Sequence, residues 1–412
     1  MNDDLSPLLS VIIPTYNEEK TICRTVDSLL RQSYSHYEII IVDDGSSDST
    51  ASQLRSQYGF SEARTLCNPV GKKSIRVSIA VSNDIHLFLI EKANGGKGDA
   101  LNTGINYCHG TLCACIDADC VLLHDALSIL VHEMERNYNT VAVGGRVIPQ
   151  LGFLNTVLQE ECDIRDVLQS YQELEYGIAF RIARPIFDRI GTTMLISGAL
   201  GVFRKDIVLK LGGYASDTVG EDMELVMRIR QYAADSQDSV TIGYTQGAIC
   251  LTELPWTIID WVKQRIRWTV GLTEVLWKYR GVITHKGYNV AEKITFWFYL
   301  LFEKFSPHIV LISLVILLLF SNTAFSIHLI IPTILLQLIL SIVGSYRSIR
   351  HSIRKSENKI EAIAKFIALL FSFITVYQVL HAVVRLISVP FYHIKRLITG
   401  TKNVAWNSPE RM

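Results

Sequence analysis

Apolar runs alternate with helical patterns along the first 290 residues of this 412-residue chain. The run Leu8–Ile13 predicts a β-strand, Thr21–Arg31 carries apolar residues at helical spacing, and Tyr37–Val42 predicts a second strand. We interpret Cys67–Asn83 as a loop or insertion that precedes a further strand at Ile85–Glu91. This alternation is typical of an α/β protein with a doubly wound, parallel sheet.

Three long apolar runs dominate the last third of the chain: Phe296–Phe320, Phe325–Val343 and Phe366–Val389. Each is close to the roughly 20 residues that a helix needs to cross a hydrocarbon core. Glu303 and Lys304 interrupt the first run and are expected in its interfacial part. The pattern therefore predicts two or three transmembrane helices after the α/β part.

The charge pattern predicts the orientation of the chain in the membrane. Met1–Leu9 carries acidic residues and passes directly into a strand, so we expect no signal peptide and a cytosolic first domain. The basic loop Tyr346–Lys365 would then obey the positive-inside rule. A third crossing would place the basic tail outside, so either Phe366–Val389 is bent or re-entrant, or the tail is an exception. Lys+Arg and Asp+Glu both number 40, which indicates no nucleic-acid partner.

Four of the eight cysteines lie close together in the sequence, at Cys108, Cys113, Cys115 and Cys120. A zinc site would normally show CxxC pairs or a matched pair of histidines, and neither is present here. We therefore favour buried thiols that act as small apolar residues over metal ligands.

Two carboxylates, Asp117 and Asp119, follow the apolar stretch that begins at Thr111. Residues two apart on a strand share a face, so both side chains are expected to point the same way. A hard cation such as Mg²⁺ or Mn²⁺ takes one or two carboxylates and completes its shell with water and substrate phosphates. The alternative is a solvated turn at the end of a strand.

Other polar residues also follow the predicted strands, namely Thr15, Asp43 and Asp44. Ligands of parallel sheets collect at the carboxyl ends of strands, so these residues are expected to share a crevice with the acidic pair. The glycine-rich turn around Lys97 could offer its amino group and backbone N–H groups to a phosphate. A simple helix-entry loop explains this turn equally well.

A second acidic pair, Glu221 and Asp222, stands at the start of a predicted helix. One of the two could be a general base, although acidic residues also favour helix N-termini without any catalytic role. Upstream, Ser197 and Gly198 belong to a small-residue turn, Ile196–Arg204, which could admit a ligand close to the backbone or simply form a tight bend.

The stretch Pro255–Trp277 predicts a helix with Gln264, Arg267 and Trp268 on one face. A tryptophan can stack on a sugar ring, while an arginine can donate a pair of hydrogen bonds to diphosphate oxygens. The tryptophan-rich pattern also suits a helix that lies in a membrane interface, and the two interpretations are compatible.

Taken together, six segments resemble, in order, the motifs of membrane-bound family 2 glycosyltransferases, which include the synthases of cellulose, chitin, hyaluronan and poly-N-acetylglucosamine. The resemblance implies a GT-A type nucleotide-sugar-binding domain, a nucleotide-sugar donor that is usually a UDP-sugar, and inversion at the anomeric carbon. The segments are Pro14–Glu18, Asp43–Ser46, Gly96–Asn102, Asp117–Asp119, Val219–Asp222 and Gln264–Trp268.

The same resemblance suggests roles for the residues around the donor. Thr15, Tyr16 and Glu18 match the segment that surrounds the uridine. Asp44 matches the carboxylate that recognises the base, and Lys97 matches the basic residue of the donor pocket.

Further roles follow for the acidic residues. Asp117 and Asp119 match the pair beside the donor diphosphate, with Asp119 as the direct ligand of Mg²⁺ or Mn²⁺. Asp222 matches the general base and Glu221 a supporting acid. In the family the Gln-x-x-Arg-Trp element closes the active site, and the turn at residues 196–204 resembles the segment that borders the acceptor sugar.

We expect four segments in the chain. A cytosolic GT-A domain over residues 1–250 is followed by amphipathic interfacial helices over 251–295, transmembrane helices over 296–390 and a tail over 391–412. The polymer synthases of the family usually begin with transmembrane helices, and this chain shows none before its first strand. Two or three spans are few for a polysaccharide channel, so a small membrane partner subunit or a homo-oligomer is expected to supply the remainder.

The resulting hypothesis is a multi-pass enzyme of the cell membrane. It would move a sugar from UDP-N-acetylglucosamine or UDP-glucose to a growing β-linked polysaccharide. One alternative is a single-addition glycosyltransferase that acts on a lipid or surface acceptor. A second alternative is a non-catalytic nucleotide-sugar-binding assembly subunit.

Overall fold

The structure is a computed structural model that describes residues 6–61, 64–67, 74–150, 164–305, 335, 338–346, 350, 353–354 and 358–399. Its first part is a mixed β-sheet with helices on both faces, and further helices follow the last strand. The strands are β1 Leu9–Thr15, β2 Tyr37–Asp43, β3 Arg64–Cys67, β4 Ser74–Ser82, β5 Ile85–Glu91, β6 Leu112–Cys115, β7 Val121–Leu122, β8 Thr140–Pro149, β9 Gly201–Arg204 and β10 Thr241–Thr252.

The strand order across the sheet is β3-β4-β5-β2-β1-β6-β9-β8-β10-β7. Strands β5, β2, β1 and β6 are parallel to one another, as predicted. Strand β9 runs antiparallel between β6 and β8, and β3, β4 and β7 also pair antiparallel. The parallel prediction is therefore confirmed for the central strands and wrong for the sheet as a whole.

The expected loop at Cys67–Asn83 is also wrong, because most of it forms β4. Asn83 and Asp84 join β4 to β5 with positive φ values of 51° and 63°. Positive φ at both residues of a two-residue connection is the geometry of a tight β-hairpin turn. Isoleucine and valine alternate with other residues along Ser74–Ser82, which is the strand pattern that sequence reasoning missed.

The helices before β10 are α1 Ile22–Leu29, α2 Thr50–Tyr58, α3 Lys97–Tyr107, α4 Ala126–Glu135, α5 Ile164–Ile178, α6 Arg184–Arg189, α7 Lys205–Lys210 and α8 Glu221–Ser236. Those after it are α9 Ile258–Lys278, α10 Val290–Phe298, α11 Lys359–Ser372 and α12 Gln378–Thr399. Wider π-helical turns join α5 to α6 at Ala179–Ala183, follow α10 at Tyr299–Phe305, and join α11 to α12 at Phe373–Tyr377.

Alternate residues of β1 face the two sides of the sheet. Val11 and Ile13 pack in a core with α1, α2 and α4, whereas Ile12 packs with α3 and α8. Helix α3 lies so close to β1 that a Cβ at Gly104 would stand 2.4 Å from Cγ2 of Ile12. The missing side chain at Gly104 therefore allows α3, which begins with Lys97, to pack directly on the strand.

Within the described residues, one helical stretch is long and apolar enough to cross a membrane, and it spans 36 residues over Lys359–Ile394. The predicted run Phe366–Val389 lies inside it in continuous helical conformation, which includes the π-helical turn. The runs Phe296–Phe320 and Phe325–Val343 lie partly outside the described residues, as does the tail. The number of membrane spans therefore stays a prediction.

The loops after β1 and β2 are hydrogen-bonded to each other. The backbone N–H of Asn17 donates to Oγ of Ser46 at 2.9 Å, and the side-chain oxygen of Asn17 accepts from the N–H of Ser47 at 2.8 Å. The N–H of Glu18 donates to Oγ1 of Thr50, also at 2.9 Å. These bonds fix the relative positions of two of the predicted nucleotide-binding segments.

Asp44 ties the end of β2 to the glycine-rich loop. Its buried carboxylate accepts hydrogen bonds from Lys92 and from the backbone N–H groups of Gly95 and Gly96. Burial raises the pKa of Asp44, and the three donors oppose that effect. The amino group of Lys92 also contacts Asp99 at 2.6 Å, where the carboxylate is 48% exposed.

We expect Asp44→Asn to lower the free energy of unfolding by roughly 3 kcal/mol, because it leaves the charge of Lys92 without its buried partner. The matched control is Asp99→Asn, which removes an exposed partner of the same lysine and should cost under about 1 kcal/mol. Thermal or denaturant unfolding of the purified protein measures both values. Equal losses of unfolding free energy in the two variants would contradict the assignment of Asp44 as the main stabilising partner of Lys92.

Candidate functional site

A cavity of about 1050 Å³ lies between the carboxyl ends of the central strands and the C-terminal helices. Its lining extends from Asp117 and Asp119 at the sheet to Gln378 and His381 on α12. Most of the predicted site residues line it together, although they come from six separate segments of the chain. These residues are Glu18, Lys97, Asp117, Asp119, Ser197, Gly198, Glu221, Asp222, Gln264, Arg267 and Trp268.

The remaining four predicted residues, Thr15, Tyr16, Asp43 and Asp44, are not part of this lining. Thr15 is fully buried and donates from Oγ1 to the carbonyl oxygen of its own strand neighbour Ile13 at 3.3 Å. Asp43 is 4% exposed, and its Oδ1 accepts a hydrogen bond from the backbone N–H of Ser46 in the following loop. In this structure the side chains of Asp43 and Asp44 order the loops, and the predicted nucleotide contacts at all four positions stay predictions.

Lys97 bridges the two acidic pairs. Its Nζ lies 2.7 Å from Oδ1 of Asp117 and 3.5 Å from Oε1 of Glu221. Burial lowers the pKa of Lys97, but the nearby charges of Asp117, Glu221 and Asp222 outweigh burial and leave the pKa above its ordinary value. The cation therefore stays charged and holds the strand-end acids close to the start of α8.

The two carboxylates at the start of α8 have different surroundings. Burial and the neighbouring Asp222 raise the pKa of Glu221, while Lys97 opposes them. Oδ2 of Asp222 accepts from the N–H of Gly198 at 3.2 Å, and Oδ1 accepts from the N–H of Met223 at 2.7 Å. These backbone donors orient the carboxylate of Asp222 within the cavity.

Gly198 lies close to this cluster. A Cβ built there would lie 3.0 Å from Nζ of Lys97 and 3.8 Å from Cβ of Asp222. The small-residue turn therefore brings its backbone N–H close to the acidic residues. The predicted approach of a ligand to this turn stays a prediction.

The start of α8 is packed tightly against α9. A Cβ on Gly220 would stand 3.0 Å from Cα of Gly271, so the two backbones meet without side chains between them. One turn further along α8, the fully buried Glu224 accepts from Nζ of Lys278 at 2.7 Å and from the hydroxyl of Tyr279 at 2.8 Å. These contacts fix the first turn of α8, and the two acids on it, relative to α9.

Helix α9 presents its predicted residues to the cavity, as the helical spacing implies. Arg267 is exposed within it, and Trp268 is 41% exposed. Oε1 of Gln264 is buried and has no hydrogen-bond partner among the described residues. The helix therefore offers a guanidinium, an indole ring and an amide oxygen to a ligand.

Sequence reasoning passed over Arg265 and Glu175, which also line the cavity and form an ion pair at 2.8 Å. Trp261 lies four residues before Arg265 and Trp268 three residues after it. This helical spacing places the three side chains on one face, and it was the signal in the sequence that could have identified Arg265. Arg184 lines the cavity as well, with its guanidinium carbon 3.7 Å from the ring centroid of Phe180.

A divalent cation could be held by Asp117 and Asp119, which follow β6 two residues apart and both line the cavity. In the described part of the chain, no group of three or more His, Cys, Asp or Glu side chains is arranged to hold a metal ion. Two carboxylates nevertheless fit the hard cations that complete their shells with phosphate and water.

The cysteine cluster is buried, as predicted. Cys113 and Cys120 are fully buried, and Cys108 and Cys115 are at most 4% exposed. Burial raises the pKa of Cys113 well above its ordinary value, which keeps the thiol protonated.

Two family sequence profiles match the chain. The profile of glycosyl transferase family 2 matches residues 10–208, and that of glycosyl transferase family group 2 matches residues 112–343, which is more than half of the chain. Together they include the segments that carry every predicted site residue.

Among curated proteins, the chain is similar to the poly-β-1,6-N-acetyl-D-glucosamine synthases of Staphylococcus epidermidis and Staphylococcus aureus. The sequences are 28% identical over 268 residues and 27% identical over 270 residues, respectively. Both alignments cover 65% of this chain, and they span about half, 55%, of the length of the synthases.

Among solved structures, the fold resembles the mannosyltransferase PcManGT from Pyrobaculum calidifontis in complex with GDP-Man and Mn²⁺. The TM-score is 0.54 at 16% identity, and the match covers 97% of this chain and 89% of the other. This similarity supports the predicted glycosyltransferase fold. From the match of the family profiles we conclude that the chain belongs to glycosyltransferase family 2.

Proposed function

We propose that this protein is an inverting, metal-dependent glycosyltransferase that moves a sugar from a UDP-sugar to a growing β-linked polysaccharide at a membrane. The observation that carries this proposal is the single cavity. It brings the Asp117/Asp119 pair, Lys97, Asp222 and the residues of α9 to one place. Transfer from a nucleotide diphosphate needs a general base and stabilisation of the charge on the leaving group, and these residues can supply both.

The donor would bind at the sheet side of the cavity. Lys97 and the carboxyl-end loops there are suited to a sugar nucleotide, because ligands of such sheets bind at this edge. Similarity to poly-β-1,6-N-acetyl-D-glucosamine synthases supports UDP-N-acetylglucosamine as the donor, and UDP-glucose is the other candidate. The acceptor would be the end of a glycan.

Asp117 and Asp119 would hold Mg²⁺ or Mn²⁺ beside the diphosphate. When bound, such a cation would neutralise charge on the leaving diphosphate. The exposed guanidinium of Arg267 would donate hydrogen bonds to the same oxygens from the opposite, α9 side of the cavity.

Asp222 would act as the general base. It would take the proton of the acceptor hydroxyl as that oxygen bonds to the anomeric carbon, while the bond from this carbon to the diphosphate oxygen breaks and UDP leaves. Attack from the face opposite the diphosphate inverts the anomeric centre. The N–H groups of Gly198 and Met223 aim the carboxylate, and Trp268 would stack on the acceptor sugar.

Synthesis at a membrane is supported by the C-terminal helices. Helix α10 carries exposed apolar residues at helical spacing, Val290, Ile294 and Trp297, and the stretch Lys359–Ile394 has the length and composition of a membrane span. We place the protein in the cell membrane as a multi-pass protein with a cytosolic catalytic domain. A small membrane subunit or a second copy of the chain would complete a path for the polymer.

Similarity to poly-β-1,6-N-acetyl-D-glucosamine synthases supports a polymeric acceptor over an acceptor that receives one sugar. The lining of the cavity continues past Trp268 to Glu303 and to His381 on α12, so the proposed acceptor would extend towards the C-terminal helices.

Replacing Asp222 by asparagine should lower sugar transfer by roughly 10²-fold or more, because the base is lost while the shape of the side chain is kept. Asp217→Asn is the matched control, since Asp217 lines the same cavity and has no assigned catalytic role. Incorporation of radiolabelled UDP-sugars by purified membranes measures the rate, and gel sizing measures product length.

A ladder of long products would support the polymerase assignment, and one discrete product would indicate single addition. Full activity of Asp222→Asn would refute its role as base. Donor binding without turnover in the wild type would indicate a non-catalytic binding subunit.

Removal of divalent cations with EDTA should abolish transfer, and Mn²⁺ or Mg²⁺ should restore it. Asp119→Asn should raise the Mn²⁺ concentration for half-maximal rate by at least roughly tenfold, a loss typical even of residues that only support metal ligands. Asp99→Asn, which changes a carboxylate outside the cavity lining, serves as the control. Undiminished transfer in metal-free buffer would contradict the proposed metal site.

A further inference from the structure

An ion pair between a buried arginine and a partly buried glutamate joins α9 to α5. Arg265 is 1% exposed, and its Nη1 donates to Oε1 of Glu175 at 2.9 Å while its Nη2 lies 2.8 Å from Oε2. One hydrogen bond and one further close contact between the guanidinium and the carboxylate restrict the orientation of both groups as well as their distance. Rotation of α9 about its axis would break this pair.

The C-terminal helical segment takes part in the same network. The hydroxyl of Tyr377 donates to Oε2 of Glu175 at 2.8 Å and accepts from Nε1 of Trp261 at 3.1 Å. Tyr377 is 1% exposed and ends the π-helical turn Phe373–Tyr377. Such turns often mark functional positions, because the extra residue changes the direction of the side chains.

The guanidinium of Arg265 also contacts the aromatic residues of its own helix. Its central carbon lies 4.3 Å from the ring centroid of Trp268 and 5.8 Å from that of Trp261. A cation at this distance from an aromatic face is attracted to it. The ring of Trp268, which lines the cavity, is therefore held in part by Arg265.

We propose that Arg265, Glu175 and Tyr377 are positioning residues that hold the cavity-facing side of α9 in its reactive orientation. Gln264, the neighbour of Arg265, lies on that side with Arg267 and Trp268. The proposal rests on the transfer reaction proposed above and adds that the C-terminal helical segment helps to align the site for catalysis.

A purely structural role for the network predicts a different result. If the three residues only held helices together, their loss would lower the amount of folded protein and leave the turnover of each folded molecule unchanged. If the three residues position the site, their loss lowers turnover at saturating substrate, because groups that are no longer aligned stabilise the transition state less. The ratio of rate to folded protein separates the two roles.

The decisive variant is Tyr377→Phe, which removes one hydroxyl and keeps the ring that packs 5.3 Å from Phe373. Its matched control is Tyr171→Phe. Tyr171 donates its hydroxyl to Oγ of Ser372 at 2.8 Å, so the control also removes a tyrosine hydrogen bond between α5 and the C-terminal segment. The control bond lies outside the network.

We expect Tyr377→Phe to lower kcat per folded protein about tenfold, with the KM for the UDP-sugar changed less than about twofold. Tyr171→Phe should leave both constants near those of the wild type. Arg265→Lys keeps the positive charge but cannot contact both carboxylate oxygens of Glu175 as the guanidinium does. Its kcat should therefore lie between those of the wild type and Arg265→Ala. Equal kcat values in Tyr377→Phe and Tyr171→Phe would overturn the proposal.

A double mutant tests whether the residues act as one unit. Tyr377 acts on Arg265 through Glu175, so the double variant Glu175→Gln with Tyr377→Phe should be no slower than Glu175→Gln alone. If the fold-loss of kcat in the double variant equals the product of the two single losses, the residues act independently, and the proposal is overturned.

Hydrogen exchange of α9 supplies a measurement that needs no substrate. Tyr377→Phe should speed amide exchange across Gln264–Trp268, and Tyr171→Phe should not. If the wild type transfers no sugar, the proposed function fails, and the exchange rates still decide whether the network orders α9. Unchanged exchange in Tyr377→Phe would refute the positioning role in that case as well.

Discussion

The site depends on one electrostatic constraint, the gathering of carboxylates around Lys97. Asp117, Glu221 and Asp222 come from two distant parts of the chain, and like charges at this distance repel one another. The partly buried cation of Lys97 between them makes the arrangement possible. Lys97 begins α3, so the packing of that helix on the sheet decides where the compensating charge stands.

Close packing of the backbone at three glycines holds the elements that carry these charged residues in fixed positions. Gly104 allows α3 to pack on β1, Gly198 brings its N–H to Asp222, and Gly220 meets Gly271 where α8 crosses α9. A Cβ at Gly104 would collide with Ile12, and one at Gly220 would lie only 3.0 Å from the backbone of Gly271. The acidic cluster is thus held by contacts between the main elements of the fold, and sites built on such rigid elements are more precise than sites on loops.

The extent of the cavity links the sheet domain to the helices that follow it. One continuous space is lined by strand ends, by the first turn of α8, by α9 and by α12. The π-helical turns at Ala179–Ala183, Tyr299–Phe305 and Phe373–Tyr377 all contribute lining residues. The helices after α9 therefore form part of the walls of the site. A nucleotide sugar at the sheet and a glycan that extends towards the helices would fit this arrangement.

The sequence by itself determined the central strands, the order of the motifs and the clustering of most site residues, because short-range patterns and the carboxyl-end rule of parallel sheets suffice for these. It missed the antiparallel placement of β9, since the partner of that strand depends on contacts far along the chain. The hairpin at Asn83–Asp84 was missed although the alternation along Ser74–Ser82 was a local signal for it. Tertiary structure alone decided that Asp44 is engaged by Lys92, and that Arg265 pairs with Glu175 while Arg267 stays exposed. Both arginines belong to one helical motif, and only the packing of α9 against α5 and the C-terminal segment distinguishes the buried side chain from the exposed one.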